Sequence, residues 1–435
     1  MSELTYDAVI IGAGVIGSSI ALELARGGRR VCVVDRGTGP GTGSTSASSA
    51  VVRYNYSTWT GVVAAWESKF AWEDWEGHLG HRDTAGLARF YKVGGLILES
   101  PGQDRAKVLG LFDQVGVPYE VWDPATVRER LPLLDPGRYH PPKRIDDEAF
   151  WADATGEVTG VWTPDSGFID DPQLAAHNLM AAAQQLGAQL RVRAEVVTVD
   201  RAAGRIAGVT LADGTRLVAP VVVNAAGPHS GAINTLADVL GDFNVGTRPM
   251  RQEVHHVAAP QGYGVGAPGP LVADLDLGTY FRGTPGDGLL VGGTEPECDP
   301  LQWLDDPDAY DRNPTQEVYR AQVYRAARRL PDLAVPEGAR GIAGVYDVSD
   351  DWIPIYDRTG LDGFYVAIGT SGNQFKNAPV AGRFLAELIA ACETGHDHDA
   401  EPLQVTLPRT GYVADLGHYS RKREINRDSS FSVMG

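Results

Sequence analysis

The chain has 435 residues, about three times the roughly 150 of an average domain, so two or three domains and a sizeable core are expected. It carries 38 Lys+Arg against 56 Asp+Glu, a formal charge of -18, with 43% apolar residues. That balance is globular, not disordered or fibrous, and it argues against nucleic acid or an anionic membrane as main partner, since both need clustered Lys and Arg. An anionic ligand therefore has to be met by a local positive site. Cys32, Cys298 and Cys392 form no CxxC pair and no even-numbered framework, which argues against a disulfide scaffold and a cysteine zinc site. No basic leader, cleavage site or long apolar stretch is visible, so a cytoplasmic protein without membrane insertion is expected.

In chain order, Ala8-Val9-Ile10-Ile11 reads as a short apolar strand. Gly12, Gly14 and Gly17 follow in GxGxxG spacing, and Val15 to Arg26 reads as a helix ending at Gly27-Gly28. A second strand, Val31 to Val34, leads to Asp35. In this βαβ opening Gly12 permits the tight turn, Gly14 lets backbone approach a pyrophosphate, and Gly17 lets helix and strand pack closely. Phosphates then sit at the helix N-terminus, where free N–H groups and the dipole favour negative charge. Asp35, about 20 residues after the motif, is placed to accept hydrogen bonds from a ribose diol. NAD and FAD share this fingerprint, so these residues alone leave the dinucleotide open.

Gly37 to Ser49 is a Gly/Ser/Thr-rich loop suited to covering a cofactor or simply connecting elements. Trp59, Trp66, Trp72 and Trp75 recur near helical spacing and read as core or interface aromatics. Leu174 to Leu186 reads as an amphipathic helix. Strands follow at Leu190–Arg193, Val196–Asp200 and Ile206–Leu211, with an Asp213-Gly214 hairpin turn. Val221–Val223 ends in Asn224-Ala225-Ala226-Gly227. Phe364 to Ile368 reads as a strand, Gly369 to Gly372 as a Gly-rich turn, and Ala378 to Ala391 as a helix. His255-His256 would face opposite sides of a strand. His396-Asp397-His398-Asp399 reads as a solvated linker, so no metal site is expected. The polar stretch Glu401–Gly435, with Arg421-Lys422-Arg423, suits packing across the protein or dimer contacts.

Taken together, the glycine fingerprint with Asp35, the Asn224–Gly227 turn, the block Gly344-Val345-Tyr346-Asp347 and the run Gly369 to Pro379 resemble the D-amino-acid oxidase and sarcosine oxidase superfamily of FAD enzymes. The resemblance covers roughly residues 5 to 395. It implies an α/β protein: a Rossmann-like FAD-binding domain with an interleaved substrate domain on a mostly antiparallel sheet. The implied division is 1–90, 155–247 and 340–400 for the FAD domain, 91–154 and 248–339 for the substrate domain, and 401–435 as a tail. The 135–158 insertion looks longer than in small relatives of that group.

The resemblance places FAD contacts on Gly12, Gly14, Ile16, Gly17, Asp35, Arg36, Ser44, Thr45, Ser48, Val196, Ala226, Gly227, Gly372, Asn373, Gln374, Phe375 and Lys376. Arg53 and Lys376 match family residues that hold a substrate carboxylate, and Tyr346 matches a tyrosine of the same pocket. An Arg fork and a Lys point charge suit that role. The implied reaction oxidises the C–N bond of an amino acid or N-methyl amino acid by hydride transfer to flavin N5, giving an imine that hydrolyses. Two cations beside the substrate disfavour its ammonium form, and no dedicated base is required. Gly344 stands where covalently flavinylated members carry cysteine, so non-covalent FAD is expected. Leu290 stands for an oxygen-activating lysine and Thr294 near a family histidine, which points to poor oxygen reactivity and an altered pocket floor. The acceptor is O2 or another electron acceptor, and a homo-oligomer is compatible. The alternatives are a 2-hydroxy acid oxidoreductase and the flavin-carrying subunit of a larger complex.

Overall fold

The computed structural model describes residues 3–101, 105–264, 266 and 268–435. A six-stranded sheet runs in the order Gln189–Arg191, Val31–Val34, Ala8–Ile11, Val222–Asn224, Phe364–Ile368, Ile355–Arg358. The first five strands are parallel and the last is antiparallel. Strands buried on both faces explain the unbroken apolar runs of the sequence.

Alternation assigns those faces. Ala8, Ile10, Val31 and Val33 pack with helices Val15–Arg26, Pro172–Gln185 and Ala378–Glu393. Val9, Ile11, Cys32 and Val34 pack on a four-stranded sheet that includes Val196–Ala202, Arg205–Leu211 and Arg216–Val218. A Cβ on Gly382 would lie 2.3 Å from Ser19 Oγ, so the first and last of these helices touch nearly backbone to backbone. The second helix starts at Pro172, ahead of the expected Leu174, because the Asp171 carboxylate accepts the Leu174 N–H at 2.8 Å and Pro172 suits the first turn.

A second, nine-stranded sheet contains Gly95–Leu98, Glu120–Trp122, Gly160–Thr163, Thr247–Ala258, Leu271–Asp274, Thr279–Thr284, Gly288–Gly293, Gln302–Trp303 and Gly341–Ser349. Only the pairing of 271–274 with 95–98 is parallel. Gly160–Thr163 and Gly341–Ser349 bond into this sheet, although the division drawn from the sequence places 155–247 and 340–400 with the FAD domain. Its Val272, Phe281, Leu289 and Val291 face the helix Gln316–Arg329, where they meet Tyr319, Val323 and Ala326. Alternate residues Leu271, Ala273 and Tyr280 turn instead toward a cleft below the sheet.

Four tryptophans lie on the helices Trp59–Glu73 and Trp75–Leu79, and Trp66, Trp72 and Trp75 are core residues. The 396–399 stretch departs from a solvated linker. His398 is buried and accepts the Leu403 N–H at 3.0 Å, while Asp399 pairs with the fully buried Arg421 at 2.7 Å. Arg421 also reaches Asp357 at 3.0 Å, so residues 401–435 pack across the protein. Among the described residues no group of His, Cys, Asp and Glu could hold a metal ion. His255 is buried and His256 exposed, on opposite strand faces. Among the described residues no helix is long and apolar enough to cross a membrane.

Candidate active site

The glycine turn is built by exclusion. Gly12 has φ +108°, and a Cβ there would lie 2.3 Å from the Ala225 carbonyl oxygen; one on Gly17 would lie 2.0 Å from the Gly12 carbonyl oxygen. Only hydrogens fit at these positions, so the start of the helix is held against the Ala225-Ala226-Gly227 turn. The cap residue Gly14 has no side chain, and beyond the Val15 N–H, which Thr45 Oγ1 takes, the first N–H groups of the helix suit a phosphate group. Asp35 accepts the Ala13 N–H at 2.7 Å and the Gly37 N–H at 2.6 Å, one on each oxygen, which leaves lone pairs for a diol. The residues present fit a dinucleotide at this turn.

The other expected FAD contacts distribute around it. Ile16 is buried in the first turn of the helix. Thr45 Oγ1 accepts the Val15 N–H at 3.1 Å, Ser44 Oγ donates to the Val345 carbonyl at 2.6 Å, and Ser48 Oγ accepts the Ala50 N–H at 3.0 Å. The 37–49 loop is therefore tied to the strand that carries Tyr346. Val196 opens its strand just beyond Ala194, whose N–H bonds the Asp35 carbonyl at 2.9 Å. Arg36 is exposed and directed to Asp308 and His229.

Four distant segments converge on a cleft lined by Ser48 and Arg53, by Tyr280, by Tyr346, and by Gly372, Asn373, Phe375 and Lys376, among others. Arg53 follows the strand Val51–Val52, which pairs with Gly167–Ile169. Lys376 sits in the 3-10 turn Phe375–Asn377 before the last long helix, its carbonyl accepting Trp72 Nε1–H at 2.7 Å. Phe375 stacks on the same Trp72 ring at 5.5 Å. Gly372 has φ +69°, and a Cβ there would meet the Tyr346 ring at 2.3 Å, so the glycine makes room for the phenol. Gln374 accepts the Asn377 Nδ2–H at 2.9 Å, closing the turn.

Arg53 and Lys376 are both buried, and neither has an ion-pair partner among the described residues. Lys376 Nζ donates to the Asn373 carbonyl at 2.6 Å, and Arg53 donates to the carbonyls of Asn55 and Val433. Between them stands Tyr56, its ring 5.3 Å from the guanidinium and 4.9 Å from the ammonium. Burial, and then the neighbouring Arg53, hold Lys376 well below the ordinary lysine range. An anion placed here relieves both effects. Burial pushes the Tyr56 phenol up to about 12 and raises those of Tyr280 and Tyr346, so none of them ionises at neutral pH.

Sequence reasoning missed four members of this site. Tyr56 lay two residues beyond Tyr54 in the Arg53 run, where an aromatic looks like core. Tyr280, whose hydroxyl pairs with Ser49 Oγ at 2.6 Å, reaches the cleft only through strand alternation. Val433 arrives from a remote segment and Glu295 adjoins the cleft by accepting the Val433 N–H at 2.8 Å; neither carried a local signal.

A glycine turn at a helix start, an acid just after the following strand and a cleft roofed by a second sheet are the layout of a dinucleotide-binding enzyme. The FAD dependent oxidoreductase family, DAO, matches residues 7–388, and the chain belongs to it. Glycine oxidase from Geobacillus kaustophilus (strain HTA426) is 25% identical over 399 residues, covering 90% of this chain and 95% of that protein. Sarcosine oxidase subunit beta from Arthrobacter sp is 24% identical over 421 residues, covering 94% and 93%. L-proline dehydrogenase from P. horikoshii shares the fold, with a TM-score of 0.75 at 23% identity over 97% of this chain and 98% of that one.

Proposed function

We propose that this protein oxidises the C–N bond of an amino acid or N-methyl amino acid that carries a free carboxylate. The observation that carries the reading is the pair of buried cations, Arg53 and Lys376, converging on one cleft and making no ion pair among the described residues; Glu295 acts on Arg53 only through space. Buried charges are costly unless paired, so the pair is accounted for by an anion that arrives with the substrate. Relatives named glycine oxidase and sarcosine oxidase support the same class.

Bound FAD supplies the two-electron acceptor. The protein's residues would hold and prepare the substrate. Arg53 offers a planar fork to the carboxylate and Lys376 a second positive contact. The two cations disfavour an ammonium beside them, which shifts the amine toward the neutral form that has a free lone pair. The three neutral phenols wall the cleft without competing for that proton. Gly344 has no side chain to bond the cofactor, and a Cβ there would lie 2.7 Å from Ala47 Cβ, which supports non-covalent FAD. Leu290 is half-buried and lies across from Arg282, whose guanidinium donates to the Ser49 carbonyl at 2.9 Å. With no lysine at 290, slow reoxidation by O2 and another physiological acceptor are expected.

The test is an anaerobic screen of amino acids, N-methyl amino acids and 2-hydroxy acids for flavin bleaching, followed by admission of air. Bleaching by an amine-bearing acid is expected, with slow recovery. Bleaching by hydroxy acids alone overturns the C–N assignment. Acid precipitation is expected to leave the yellow colour in solution.

A further inference from the structure

Arg53 and Lys376 read a carboxylate, and neither distinguishes an amino acid from a 2-hydroxy acid. The group that does is shown by a segment of the chain itself. Asp351 anchors the base of that segment, accepting from Arg423 Nη2 at 2.7 Å and from the Asn426 N–H at 3.2 Å. Beyond this anchor the chain enters the cleft, where Val433 and Met434 form part of the lining. Gly435 lies flat on Tyr56, where a Cβ would approach the ring to 2.5 Å.

Val433 is bonded at both ends of its own backbone unit. Its carbonyl accepts from Arg53 Nη2 at 2.5 Å, and its N–H donates to Glu295 Oε2 at 2.8 Å. Nitrogen, one α-carbon and a carbonyl oxygen are the skeleton of an α-amino acid. Its side chain packs with Tyr346 against Met250, Val348 and Trp352. Glu295 has no ion-pair partner among the described residues; its second oxygen accepts from Gln252 Nε2 at 3.1 Å. Burial raises its carboxyl to about 8, a condition that a cationic neighbour would relieve.

We propose that Val433 occupies the place of the substrate's amino-acid skeleton, that Glu295 takes the substrate amine, and that residues 429–435 leave the cleft before substrate enters. The proposal rests on the amino-acid reading above. With Arg53 on the carboxylate and Glu295 on the nitrogen, the α-carbon is fixed at both sides. A neutral amine offers Glu295 two N–H donors, whereas a hydroxyl offers one. Within the segment the hydroxyls of Ser430 and Ser432 bond each other and nearby backbone, so its departure breaks the two Val433 backbone bonds, the packing of the Val433 side chain and the Ser57 N–H bond to the Gly435 carbonyl at 3.3 Å, each of which a bound substrate would have to offset.

The test uses holoprotein and two probes, glycine and acetate, alike in their carboxylate and different in the amine. Dissociation constants are read anaerobically from the flavin absorbance, or from the concentration dependence of bleaching where glycine reduces the flavin. A chain ending at Asp428 is expected to bind both probes at least about tenfold tighter than the full chain. In that shortened chain, Glu295→Leu and the isosteric Glu295→Gln are expected to weaken glycine by about tenfold or more and acetate by less than about twofold. The Gln variant keeps the volume of the site, so misfolding does not mimic the result. Acetate binding that does not tighten on shortening, or equal effects of Glu295→Gln on both probes, overturns the proposal. Binding is scored without turnover, so failure of this contact and failure of C–N oxidation appear in different measurements.

Discussion

The glycine turn and the charged clamp lie in the same protein and are made in opposite ways. At the turn, Gly12 and Gly17 act by what they lack, since their neighbours are the backbone of Ala225 and Gly12 itself, while Gly14 faces Thr45 Oγ1. At the proposed clamp, Arg53, Lys376 and Tyr346 bring charge and polarity to the cleft, Glu295 adjoins it through Val433, and the four come from segments spread over most of the chain. A steric requirement on a short stretch leaves a spaced motif. An electrostatic requirement met across a fold leaves single residues with no spacing to find.

The contrast predicts different failures. The largest effect is expected from Gly12→Val, since φ +108° and a carbonyl oxygen 2.3 Å from the new Cβ exclude any side chain. The purified variant should be colourless and should not take up FAD on reconstitution, as read by the ratio of flavin to protein absorbance. A yellow variant would show that the turn is not the cofactor's cradle.

Arg53→Ala should leave the flavin bound and act on substrate. Loss of a desolvated charge partner costs about 3 kcal/mol, or on the order of 100-fold in KM for a carboxylate substrate. An unchanged KM would remove the clamp from the argument. Arg53→Lys should recover only part of the loss, because an ammonium cannot form the two parallel bonds of the fork.

Asp347 follows Tyr346 and bonds the turn that leads to Lys376, and its effect should appear as a pH dependence of stability. Burial raises its carboxyl to about 7, while it accepts the Gly369 N–H at 2.6 Å and so holds the Gly-rich turn. Between the ordinary carboxylate range and about 7, the folded protein binds a proton that the unfolded chain has lost. Stability contributed by this group therefore falls as pH rises through that window and is level above it, by on the order of 4 kcal/mol in full. Asp347→Asn should flatten the slope in chemical denaturation measured from pH 4 to 8, and an unaltered slope would contradict the assignment.

The smallest effect is expected from Trp72→Phe. The ring that stacks on Phe375 is largely kept, and only the Nε1–H bond to the Lys376 carbonyl is lost, worth about 1 kcal/mol of unfolding free energy, read from urea denaturation. A fall in affinity for acetate much larger than that in stability would show that this bond positions Lys376.

Much of the parallel sheet was legible because its signals are local. Ala8–Ile11, Val15–Arg26, Val31–Val34 and Phe364–Ile368 occur at their expected bounds, since apolar runs closed by glycine leave little freedom. Strands 160–163 and 341–349 were harder to assign, because membership of a sheet depends on hydrogen-bond partners far along the chain. Asp399 looked solvated for the same reason: its partner Arg421 stands in a different polar stretch.

By itself the sequence determined the family and the glycine turn, and it named Arg53 and Lys376, which the structure brings to one cleft. Backbone geometry at a glycine motif is written into neighbouring residues, so it needs no fold to be seen. Only the tertiary structure decided that Tyr56 stands between the two cations, that Tyr280 roofs the cleft, and that Val433 bridges Arg53 and Glu295. These are distances between charges and rings, and such distances exist only once the chain has closed on itself.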